Sequence, residues 1–172
     1  MNPDQPLYTF ESLADHDQTA FSCGIVEMDH YLHHRASQDA KRKVAAPFVM
    51  LDAQRQVVGY YTLSAYGIQT RELPPTVAKK LPKYPLIPAT LLGRLAVNRD
   101  HQGQKLGRIL LMDALYRSWK NISEVASVGV VAEAIDNSAR EFYLHHEFIS
   151  LPEHPKKLFI AMGTLQKVFA RY

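Results

Sequence analysis

The chain has a single cysteine, Cys23, among its 172 residues. An internal disulfide and a multi-thiolate metal site are therefore both excluded. No apolar run approaches the roughly 18 residues that a membrane helix needs. The opening Met1-Asn2-Pro3-Asp4-Gln5 has neither the basic start nor the apolar stretch of a signal peptide. Internal repeats, low-complexity tracts and Gly/Ser linkers are missing, as are the Gly-Lys-Ser/Thr of a P-loop and the G-x-G-x-x-G of a dinucleotide fold. What remains is ordinary: 47% apolar and 22% charged residues, a composition that rules out collagen-like and wholly disordered chains. The expectation is a cytoplasmic protein made of one domain over residues 1–172.

The net charge of +3 is small but unevenly laid out. Residues 1–40 carry seven acids and one base, a balance of −6, whereas residues 41–120 carry 14 bases against four acids, a balance of +10. A middle section this basic suits a polyanionic partner, either nucleic acid or a phosphate-rich cofactor, unless folding disperses it as solubilising surface charge.

Periodicity lays out the elements. Leu7–Leu13 alternates as an edge strand, Phe21–Gly24 is a turn, and Val26–Lys43 has the spacing of one helix with Met28, Tyr31, Leu32 and Ala36 on a stripe. Ala46–Leu51 and Val57–Ile68 form a hairpin about the polar turn Asp52–Arg55. Five prolines across residues 71–88 make a shaped loop holding one short helix, Pro75–Leu81. A buried strand follows at Thr90–Val97, then a turn at Asn98–Gln102 and a helix at Leu106–Trp119 with Leu106, Ile109, Leu110 and Ala114 inward. Beyond lie a strand at Ala126–Ile135, a helix capped by Asp136 or Asn137 and running to His146, strands at Phe148–Leu151 and Lys157–Met162, and a helix at Thr164–Tyr172. Early strands followed by strand–helix alternation give an α/β class with a mixed sheet.

The segment Leu91–Leu111 carries the most chemistry. An apolar strand leads into a polar loop, and the loop opens directly into an amphipathic helix. Glycines let backbone approach a ligand closely, and the first turn of a helix presents unpaired N–H groups with a partial positive charge. Gln102, Gly103, Gln104, Lys105, Leu106, Gly107 and Arg108 thus form an anion site suited to phosphate or pyrophosphate.

This segment resembles the acetyl-CoA motif of the GNAT acetyltransferases, Gln/Arg-x-x-Gly-x-Gly/Ala after a central strand. Gln102 and Gly107 match its ends, while Lys105 stands in the slot that the family gives to glycine. Further on, Ile135 to Phe148 is similar to the second signature, Asn-x-x-Ala-x-x-Phe-Tyr-x-x-x-Gly-Phe, with Glu147 replacing the glycine. The resemblance implies the GNAT fold: an α/β domain with a central, mixed, mostly antiparallel twisted sheet flanked by helices, its central strands splayed in a V. It also implies acetyl-CoA as co-substrate and no metal. Backbone groups at Leu95, Ala96 and Val97 would pair with pantetheine, Asn137 would line the CoA arm, and Tyr143 would protonate the departing thiolate. That last role is sound chemistry, because a phenol of pKa about 10 stays protonated at neutral pH and can donate to a thiolate of about 8.5.

Phe21-Ser-Cys-Gly24, Gly59-Tyr-Tyr-Thr-Leu-Ser64 and Leu92-Gly-Arg-Leu-Ala-Val97 look like the TacT- and AtaT-type GNAT toxins of type II toxin–antitoxin modules. Membership would imply acetylation of the α-amine of aminoacyl-tRNA, arrest of translation, a ribbon-helix-helix antitoxin and a homodimer. Lys41, Arg42, Lys43, Lys79, Lys80, Lys83, Arg94 and Arg99 are candidate phosphate contacts for such a substrate. No acid stands out as general base in Val57–Ile68 or Leu91–Val97, which fits an α-amine of pKa about 8 better than a lysine of about 10.4. Tyr60, Tyr61, Tyr66 and Tyr84 are either base contacts or sheet packing. Arg94, inside an apolar strand, needs a polar cleft, a phosphate or a carboxylate to face. His30, His33 and His34 read as a solvated helix face and Cys23 as a buried turn residue. Two other functions stay open at this point: an acetyltransferase of a small amine or protein N-terminus, and a non-catalytic CoA- or nucleic-acid-binding module.

Overall fold

The computed structural model describes residues 7–171; the opening Met1–Gln5, Pro6 and the final Tyr172 lie outside the described residues. Two compact units share the chain. One runs up to Leu63 and takes up Arg94–Ala114, and the other holds Ser64–Gly93 and continues from Leu115.

The first unit contains β1 (Thr9–Ser12), α1 (Val26–His34), α2 (Ala36–Arg42), β2 (Ala46–Leu51) and the first half of β3 (Val57–Gln69). It also contains the end of β4 (Leu86–Val97) and the start of α4 (Leu106–Asn121). β2 pairs antiparallel with both β1 and β3, so the expected hairpin and edge strand are in place. Alternate strand residues and the inner stripe of α1 build its core from Leu13, Phe21, Met28, Tyr31, Leu32, Val49, Leu51 and Tyr60.

The expected single helix over Val26–Lys43 is two. Arg35 leaves the helical region at φ −123°, between α1 and α2. The break lets the Tyr31 hydroxyl donate to Asp39 Oδ2 at 2.8 Å. In an unbroken helix eight residues separate the two by about 12 Å of rise, beyond a tyrosine's reach.

The second unit holds the rest of β3 and β4, α3 (Pro75–Ala78), β5 (Gly129–Glu133), α5 (Asn137–His145), β6 (Ile149–Leu151), β7 (His154–Ala161) and α6 (Met162–Phe169). Its strands run β3-β4-β5-β7-β6. β5–β7 and β6–β7 pair antiparallel, while β4–β5 pair parallel, which makes the sheet mixed. Ile68, Leu73, Ile87, Val131, Leu151 and Phe159 fill this core. Gly129 is obligatory there, because a β-carbon would collide with the Ile160 carbonyl and the Phe159 ring.

Several element bounds and one inward stripe differ from expectation; β5, for instance, is Gly129–Glu133 rather than Ala126–Ile135, and β7 begins at His154 rather than Lys157. The helix in the proline loop is a single turn, Pro75–Ala78, rather than Pro75–Leu81. β4 starts at Leu86, not Thr90, and Pro88 within it, which lacks an N–H, accepts from Val128 N through its carbonyl at 2.9 Å. Along α4 the buried stripe is Leu106, Leu110, Leu111, Ala114 and Leu115, and Ile109 is exposed. Among the described residues no helix is long and apolar enough to cross a membrane.

Candidate acetyl-CoA and acceptor sites

The polar loop after β4 lies wholly within the first unit. β4 pairs with β5 only over Thr90–Leu92, opposite Val130–Ala132, and its last residues run on to Val97 past that register. The chain then leaves the strand under tight control. Asn98 N donates to Val58 O at 2.8 Å, and the Asn98 side chain accepts from Asp100 N, capping a 3-10 turn over Arg99–His101. Gln102 Nε2 donates to both Val97 O and Cys23 O at 3.0 Å. Gly103 has φ 81° and Lys105 φ 61°. The slot where the acetyltransferase pattern has glycine therefore has the left-handed backbone that favours glycine, adopted here by lysine.

Gln102–Lys105 are exposed and α4 follows at once, with no acid in its first turn. The partial positive charge of that turn is uncompensated, so Leu106, Gly107 and Arg108 are set to receive an anion. Leu106 itself is buried and anchors the helix.

The basic candidates separate. Arg94 is half-buried and its guanidinium lies 3.5 Å from the centroid of the Tyr31 ring. The Tyr31 ring thus covers one face of the guanidinium. Arg99 is exposed, with Nη2 3.4 Å from where a β-carbon on Gly24 would stand. Lys41, Arg42 and Lys43 are exposed at the end of α2 in the first unit; Lys79, Lys80 and Lys83 are exposed on the proline loop of the second. Of the tyrosines weighed as base contacts, Tyr60 and Tyr61 are fully buried, Tyr66 is half-buried beside Lys157, and only Tyr84 is exposed. Tyr60 donates to Met28 O at 2.6 Å, and Tyr61 to the Asp113 carboxylate.

In the second unit, α5 carries Asn137 and Tyr143, and the signature's spacing, seven residues back from Tyr143, puts its asparagine slot on Asp136. Asp136 is the cap, accepting from Ala139 N at 2.8 Å. Asn137 follows it, exposed, in the first turn. Tyr143 sits on a buried face of the helix, and burial raises its phenol above the ordinary range. The helix ends in a Schellman turn: Glu147 N bonds to Leu144 O at 3.3 Å and Phe148 N to Tyr143 O at 3.2 Å. Glu147, in the second glycine slot, has φ 70°.

Cys23 is a buried turn residue, as expected, its thiol pushed up to about 11 by burial. His33 Nε2 is engaged by the Phe21 carbonyl at 2.9 Å. Among the described residues no group of three or more His, Cys, Asp or Glu is arranged to hold a metal ion. Sequence reasoning missed Asp29, which accepts from Cys23 N at 2.8 Å and Ser22 Oγ at 3.2 Å. An acid in the first turn of α1, six residues after the cysteine, was the only local signal for it.

Residues 45–150 match the family model of the acetyltransferase (GNAT) domain, and the chain belongs to that family of acetyltransferases. Among known proteins it is similar to a tRNA-acetylating toxin of Mycobacterium tuberculosis, with 34% identity over 85% of this chain and 86% of the relative. It is also similar to the solved structure of AtaT complexed with acetyl-methionyl-tRNAfMet, with TM-score 0.86 and 31% identity over 94% of this chain and 99% of that one. A tyrosine-to-phenylalanine mutant of AtaT, bound to acetyl-CoA and the C-terminus of the antitoxin AtaR, superposes with TM-score 0.81 and 28% identity over 95% and 99%.

Proposed function

We propose that this acetyltransferase moves the acetyl group of acetyl-CoA onto the α-amine of the amino acid carried by charged tRNA, and so acts as a translation-blocking toxin. The observation that carries this reading is the 34% identity, across 85% of the chain, to a tRNA-acetylating toxin. The geometry within each unit supports it. Gln102–Arg108 hold pyrophosphate against the exposed first turn of α4. Backbone groups at Leu95–Val97 pair with pantetheine and polarise the thioester carbonyl. Asn137 lines the CoA arm.

The uncharged α-amine attacks the thioester carbon directly. A C–N bond forms, the C–S bond breaks, and Tyr143 gives its proton to the leaving thiolate while the new ammonium loses one to solvent. With a pKa of about 8, the amine needs no strong protein base. The Tyr143 phenol holds its proton at neutral pH, as any phenol of pKa about 10 or above does. Exposed Lys41, Arg42, Lys43, Lys79, Lys80, Lys83 and Arg99 contact tRNA phosphates, and Arg94 takes part through its stack on Tyr31.

Residues 1–172 work as one GNAT domain in the cytoplasm, as a homodimer held in check by a ribbon-helix-helix antitoxin; the AtaT–AtaR complex is a precedent for an antitoxin as partner. A cell-free translation reaction tests the reading. Added protein should stop synthesis only when acetyl-CoA is present, and arrest that is independent of acetyl-CoA would overturn it.

A further inference from the structure

The Ser22–Gly24 turn sits between an acid and the loop. Cys23 N–H donates to Asp29 Oδ1 at 2.8 Å, and Ser22 Oγ donates to Oδ2 at 3.2 Å. On its other edge, Ser22 O accepts from Arg99 N at 2.8 Å and Cys23 O accepts from Gln102 Nε2 at 3.0 Å. The Ser22 carbonyl and the Cys23 N–H belong to one planar, trans peptide unit, so they point in opposite directions. Asp29 grips one edge of that plate and Arg99 the other. A rotation that frees the amide must also turn the carbonyl away from the loop.

Two further facts lock the turn. Gly24 has φ 92°, a conformation that side chains resist, and Arg99 packs over the space a β-carbon would take. Burial opposes ionisation of Asp29, but the bonds from Cys23 and Ser22 win and hold its carboxyl below the usual range. It is a charged acceptor at neutral pH, and charge-assisted bonds are the stronger kind.

We infer that Asp29 is a positioning residue for the acetyl-CoA loop, acting on Arg99 through the Ser22–Cys23 peptide and on Gln102 through the Cys23 carbonyl that follows it. The inference rests on the reading of Gln102–Arg108 as the pyrophosphate site. It also gives the motif glutamine a job: Gln102 ties the start of the loop to the turn and to Val97, leaving loop amides free for the ligand.

Calorimetry with acetyl-CoA tests this on the full chain, with wild type, Asp29→Ala, Asp29→Asn, Gln102→Ala and the double variant Asp29→Ala/Gln102→Ala. Asp29→Ala should weaken acetyl-CoA about tenfold and charged tRNA by a smaller factor, since Arg99 is one of several phosphate contacts. Asp29→Asn, which keeps an acceptor oxygen for Cys23 N, should recover most of the loss. The double variant should fall well short of the product of the two single losses, because the two share the Cys23 link to the loop. Wild-type affinity in Asp29→Ala, or multiplicative losses in the double variant, would overturn the inference. Failure of the wild type to bind acetyl-CoA would instead overturn the reading of the loop. Should Asp29→Ala not fold by circular dichroism, amide exchange in Gln102→Leu decides. Exchange at Cys23 should speed up about tenfold or more, and an unchanged rate overturns the link.

Discussion

Phe148 closes on Tyr143 twice: its backbone N–H bonds to the Tyr143 carbonyl at 3.2 Å, and the two rings pack with centroids 5.2 Å apart. The residue between the helix end and Phe148 must be left-handed for this turn to form, and that residue is Glu147 at φ 70°. A non-glycine residue there costs on the order of 1 kcal/mol. Glu147→Gly should therefore raise stability by up to about 1 kcal/mol, a rise in Tm of about 2–4 °C, without changing the acetyl-transfer rate. Glu147→Val, β-branched at the same φ, should lower Tm instead. Thermal melts by circular dichroism check both.

Tyr143→Phe removes the hydroxyl and keeps the ring against Phe142 and Phe148. Loss of a general acid costs about 10²–10⁴ in rate. The variant should bind acetyl-CoA as the wild type does and transfer at least about 100-fold more slowly, measured as thiol release at saturating substrates.

Cys23 links alkaline pH to stability. Burial pushes its thiol up to about 11 from an ordinary 9.0. The folded state keeps a proton that the unfolded chain gives up, so this contribution is whole below about pH 9 and is lost as pH rises towards about 11. Tyr31, pushed up to about 12 by burial and its bond to Asp39, extends the loss to higher pH. In Cys23→Ala the drop in Tm between about pH 8 and pH 10.5 should be smaller than in the wild type.

Lys79, Lys80 and Lys83 are exposed on one loop of the second unit. If each neutralises a tRNA phosphate, changing all three to alanine should weaken tRNA binding and flatten the slope of log K against log salt by about 2–3. Filter binding over a salt series measures it, and acetyl-CoA affinity should stay put.

What was legible in the sequence was local. The strand–loop–helix around Gln102–Gly107 and the Asp136-capped helix bearing Tyr143 are set by short-range patterns, and both are where expected. Even the departures from pattern at Lys105 and Glu147 keep the backbone that glycine would have. Contacts between distant segments were not legible. The break at Arg35 is fixed by Tyr31 meeting Asp39, and the Tyr31 ring that covers one face of Arg94 comes from another element. Tyr60 and Tyr61 are adjacent in β3 yet both are buried, because the sheet is covered on both faces at that point; strand alternation alone exposes one of the pair. The grip of Asp29 on Ser22 and Cys23 depends on a turn whose geometry no periodicity encodes.

Transfer of label from [acetyl-14C]acetyl-CoA to total charged tRNA tests the central claim most directly. Label should appear in the tRNA fraction, and mild base, which cleaves the aminoacyl ester, should release it as N-acetylamino acid; deacylated tRNA should take up none. Robust acetyl-CoA binding with no label on charged tRNA would contradict it.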